Sequence, residues 1–75
     1  MYKKEETLQF VNGMITDMEA KHNRSDQDSD ELELWKIHRD QIMAAASDEA
    51  LCKRIVFMRK TMVDLGLGHK LRHAP

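Results

Sequence analysis

Leu51, Ile55, Met58, Met62 and Leu65 recur at spacings of 4, 3, 4 and 3, and Gly66 follows directly. That is one face of an amphipathic helix stopped by a glycine able to take a left-handed cap. A second pattern of the same kind opens the chain. Leu8, Val11, Ile15 and Met18 fall on one face, widened by Phe10 and Met14, with Glu5, Gln9, Asn12, Thr16 and Glu19 opposite. Glu5 and Glu6 suit a first turn and Lys21 with His22 a last one, which predicts a helix over residues 4–22. Gly13 sits on its polar side, where it weakens the helix without easing any packing.

Residues 23–29 carry no apolar side chain and read as a loop. Asp28 and Glu31 stand at capping-box spacing before the middle pattern, which predicts a helix over 30–46. Its apolar side holds Leu34, Trp35, His38, Ile42, Ala45 and Ala46, with Leu32, Ile37 and Met43 off centre. Ser47 with Asp48 and Glu49 behind it is a good cap and first turn, predicting a third helix over 48–65. Ala44–Ala46 favour the opposite outcome, one unbroken helix from 30 to 65 that would reach roughly 54 Å at 1.5 Å per residue. The expected fold is therefore all-α: a small three-helix domain over 1–66, or a helical hairpin with its second and third helices continuous. Residues 67–75 form a short basic tail expected to fray.

Composition narrows the function classes. Cys52 is the only cysteine among 75 residues, which excludes an internal disulfide and a thiolate-rich metal site. Charges among the first twenty residues argue against a secretory leader, and no run nears eighteen apolar residues, so a cytoplasmic protein without a membrane span is expected. The net charge of −1 hides an asymmetry: residues 1–50 hold six Lys or Arg against twelve Asp or Glu, and residues 51–75 hold six against Asp64 alone. Blocks of opposite sign attract one another within a chain or between chains, and they orient partners.

The candidate chemistry is sparse. Asp26, Asp28 and Asp30 imitate the start of a calcium loop, but Glu31 replaces the turn glycine and Ile37 stands where the bidentate acid belongs. His69 and His73, four apart, lack a third ligand nearby. Glu31 and Glu33, two apart on a helix, do not face each other. Cys52 reads as a buried structural thiol and His38 as a core or interface imidazole. No cofactor, metal or catalytic set is expected.

The third helix carries more apolar surface than one neighbour can cover. Cys52, Val56 and Val63 make a second line beside the main stripe, with Arg59 between the two lines and Phe57 on another side. The expected function is non-enzymatic: a regulator or adaptor that works by protein–protein contact and forms a homodimer. Self-association is assigned to Trp35, His38, Ile42, Ile55, Met58 and Met62. A second protein partner is assigned to Cys52, Val56, Arg59, Lys60 and Val63. The alternative is a DNA-binding regulator using the third helix and basic tail, although Asp48 and Glu49 would then meet the phosphates first. A purely structural self-assembling protein is the remaining reading.

Overall fold

A computed structural model describes residues 2–75 as three helices: α1 (Lys4–Glu19), α2 (Asp26–Ala44) and α3 (Asp48–Asp64). A 3₁₀ turn over Gly68–Leu71 follows. No strand occurs among the described residues, and none of their helices is long and apolar enough to cross a membrane. The molecule measures 38 × 21 × 19 Å, too short for the continuous rod. Helices α2 and α3 are separate.

Their boundary is chemical. Ala45 takes an extended conformation (φ −64°, ψ 119°), and the Ser47 hydroxyl accepts the Ala50 N–H at 3.1 Å. From across the bundle, the Lys4 ammonium donates to the carbonyls of Met43 (2.7 Å) and Ala45 (2.9 Å). A cation at the end of α2 satisfies carbonyls that a continuing helix would have used. Three alanines favour helix by tenths of a kcal/mol each, too little to resist two caps acting at one junction.

The start of α2 lies four residues earlier than the 30 expected. Ser25 is its cap, not Asp28. The Asp28 N–H donates to the Ser25 hydroxyl (3.1 Å) and the Ser25 N–H donates back to the Asp28 carboxylate (3.3 Å), a complete capping box. Those bonds, with Lys21 3.6 Å away, hold the Asp28 carboxyl below the usual carboxylate range. Helix α1 ends at Glu19, three residues short of expectation, because the Lys21 N–H turns back onto the Met18 carbonyl at 3.2 Å.

Val11, Ile15 and Met18 of α1 meet Leu32, Trp35 and Ile42 of α2, and Leu51, Ile55, Met58 and Met62 of α3. Phe10 stands edge-on to Trp35, with ring centroids 6.1 Å apart. Two assignments change. Leu65, expected on the buried stripe, is exposed, because α3 ends at Asp64 and the chain turns away. Leu32, placed off centre, is buried at the edge of a core face wider than a single stripe.

The expected frayed tail is part of the fold. Gly66 adopts φ 77°, the Gly66 N–H donates to the Val63 carbonyl (3.0 Å) and the Leu67 N–H to that of Met62 (2.8 Å). This is the Schellman arrangement, and it reverses the chain. A Cβ at Gly68 would approach the Val63 side chain to 3.3 Å, so the returning segment lies close on α3. Leu71 then enters the core, 6% exposed. Lys70 reaches α2 and donates to both oxygens of Glu31, at 2.8 and 2.6 Å, while the Trp35 indole N–H donates to Glu31 at 2.9 Å.

Gly13 has no such role. A Cβ there would meet no atom within 4 Å. Gly13→Ala is expected to stabilise the fold by about 0.5–1 kcal/mol, read as a higher urea midpoint at unchanged slope.

Candidate functional site

The residues assigned to self-association lie inside the single chain. Trp35, His38, Ile42, Ile55, Met58 and Met62 are all buried in the core built by α1, α2, α3 and Leu71. Those faces of α2 and α3 are covered within the folded chain. Cys52, Val56 and Val63 lie outside the core, with Val56 and Val63 51% and 59% exposed. Lys60 is exposed and Arg59 half-buried. The expectation that Cys52 is a buried thiol is corrected: it faces solvent near Tyr2, Asp48 and Pro75.

Two grooves flank the returning segment. The first lies between α3 and residues 68–72, with a volume of about 650 Å³. Val56, Val63, Leu71 and Tyr2 give it apolar walls, and Arg59, Lys60 and Arg72 give it charge. Lys60 is paired with Asp64 at 3.3 Å, whereas Arg59 and Arg72 have no carboxylate within 4.0 Å among the described residues. The structure thus brings four of the five expected partner-binding residues to one groove. It adds Tyr2 and Arg72, which the helical periodicity of α3 does not reach.

The second groove, about 670 Å³, runs between the first half of α2 and the end of α3. Leu34, Ile37, Leu65 and Leu67 form its floor, and Asp30, Glu33 and the Glu31–Lys70 pair its edges. Ile37 and Leu65 are 49% and 59% exposed. Helical periodicity does not reveal this groove, because it places Leu65 on the buried stripe and Lys70 in a tail.

The remaining candidate chemistry is dispersed. Asp26, Asp28 and Asp30 lie within the first turns of α2, with Asp28 engaged in capping. No group of three or more His, Cys, Asp or Glu side chains able to hold a metal occurs among the described residues. His69 belongs to the 3₁₀ turn, and His73 lies beyond it. Cys52 and His38 do not form a nucleophile–base pair. His38 packs against Phe57, ring centroids 6.0 Å apart, and Phe57 is roughly 140° round the helix from Cys52.

His38 is 1% exposed, and neither ring nitrogen has a hydrogen-bond partner among the described residues. Burial pushes its pKa below the usual 6.5. A depressed histidine pKa means that the unfolded chain takes up the proton first. Stability is therefore complete above about pH 6.5 and declines as pH falls through that value toward the folded pKa. Thermal melts of wild type are expected to lose midpoint between pH 7.5 and 5.5, and His38→Met to lose much less. Equal losses in both proteins would assign the acid sensitivity elsewhere. The Asp28 contribution is lost only at lower pH, below its ordinary value of 3.8, so the two windows are separate.

The chain was compared with models of protein families, with curated proteins and with solved structures, and it matches none of them.

Proposed function

We propose that this protein is a non-enzymatic interaction module that binds an acidic, partly apolar segment of another protein along the outer side of α3. One observation carries the reading: the second apolar line of α3 stays uncovered after the chain has completed its own core. Val56 and Val63 are more than half exposed, beside two cations that lack a carboxylate partner. An apolar centre with a charged rim is the composition of a protein-binding patch. Its sign selects the partner. A two-fold pairing of this face with itself would set Arg59, Lys60 and Arg72 against their own copies, and like charges at a contact cost several kcal/mol. An acidic segment meets no such penalty.

The same three cations support a second reading, contact with nucleic acid phosphates. Against it, Asp48 and Glu49 occupy the first turn of α3, the part of a recognition helix that approaches bases. A photo-crosslinking side chain at Val56, with one at Gln9 on the exposed side of α1 as control, separates the readings in the native cell. The expected result is a defined acidic protein captured from position 56 and not from 9, surviving nuclease treatment and weakened at least about tenfold by Arg59→Glu. Capture that disappears with nuclease, together with duplex binding that falls steeply with salt, would replace this reading with the nucleic-acid one.

A further inference from the structure

Helix α3 and its cap residue Leu65 expose apolar side chains on two sides. Val56 and Val63 line the basic groove; Leu65 lies in the acidic one. Val63 and Leu65, two residues apart, project roughly 160° from each other around the helix axis. Within one molecule these surfaces face away from each other and cannot meet. Between molecules they can.

The acidic groove has an apolar floor and carboxylate edges, with Lys70 at one edge paired to Glu31. Asp30 has no cation within 4.0 Å among the described residues, and Glu33, 71% exposed, has only Lys36 at 4.0 Å. A helix that fills such a groove presents one apolar stripe bordered by cations. The outer face of α3 meets that description. Cys52, Val56 and Val63 fall within a narrow sector bordered by Arg59 and Lys60. The carboxylates of Glu49 and Asp64 beside it are paired, with Lys53 at 3.4 Å and with Lys60 at 3.3 Å.

From this complementarity of charge and apolar character, we infer that the acidic groove between α2 and the end of α3 receives the outer face of α3 from a second copy of this chain. The contact is head-to-tail, groove of one molecule against helix of the next, so an open assembly leaves one groove free at one end and one α3 face free at the other. The inference rests on the proposed function only in taking the outer side of α3 as a contact surface. It also gives that surface a competitor: a copy engaged with its neighbour withholds α3 from any acidic partner.

Sedimentation equilibrium decides it. Wild type is expected to rise above 8.8 kDa with concentration at about 0.05 M salt and to return toward it at about 0.5 M, where surface charges are screened. Two double variants remove one surface each without changing charge. Ile37→Gln with Leu65→Gln empties the groove of its exposed apolar floor, and Val56→Gln with Val63→Gln does the same to the face. All four positions are about half exposed, so unchanged helicity by circular dichroism is expected of both. Each variant alone should remain monomeric. Mixed in equal amounts they should form a dimer and nothing larger, since only one intact groove and one intact face remain between them. A monomeric wild type at every concentration overturns the inference. So does a mixture that stays monomeric, or a variant that associates as wild type does. In any of those cases, capture of a different protein from position 56 still decides the proposed function on its own.

Discussion

Met58→Lys is expected to unfold the chain, abolishing both its helical circular dichroism and any cooperative melt. Met58 is 1% exposed in the core. An ammonium group placed there without a partner costs several kcal/mol, and domains of this size have few to lose. A lysine can extend its charge toward solvent along its aliphatic stem, which softens the penalty. Ile55→Asp removes that escape at an equally buried position, because the aspartate side chain is short. Val56→Lys, next to Ile55 but half exposed, is the control and should change stability by no more than about 0.5 kcal/mol. Full helicity and an unshifted melt for both core variants would mean that α3 is rotated from the arrangement described.

The second large effect is expected at Leu71, from a segment that reads as a tail. Leu71→Ala should cost about 2–4 kcal/mol, as for other leucines buried among packed neighbours. Lys70→Ala should also destabilise, because among the described residues it leaves the largely buried Glu31 carboxylate with the Trp35 indole as its only side-chain partner. Urea denaturation measures both. A frayed segment predicts no change in midpoint for either variant.

The three helices were legible in the sequence because each carries a stripe with a period close to 3.6, and Ser47 and Gly66 mark two ends of α3 through local chemistry. Side chains that act across long sequence distances left no such trace. Lys4 caps α2 from thirty-nine residues away, and Lys70 reaches Glu31 over the same separation. Neither residue differs in type from an ordinary surface lysine. The start of α2 was misplaced for a different reason: Ser25 lies inside a polar run where many residues can cap, and only the paired bonds with Asp28 distinguish it. Four of the five expected partner-binding residues share one groove because their placement depends only on helical spacing along α3. The residues assigned to self-association are buried within the single chain for the same reason in reverse. They form the face of the strongest stripes, and a single chain folded on itself covers that face first.

The place of Trp35 has a consequence for spectroscopy. It is the only tryptophan, fully buried, and its indole N–H donates to the carboxylate that Lys70 also holds. The molecule therefore carries an internal optical reporter wired to its C-terminal clasp. Release of residues 68–75 would alter the electric field on the indole while the helices still shield it from water. Global unfolding would then expose it and shift its emission to the red. Two fluorescence changes, separated in denaturant or in time, would distinguish a molecule that has merely unclasped from one that has come apart.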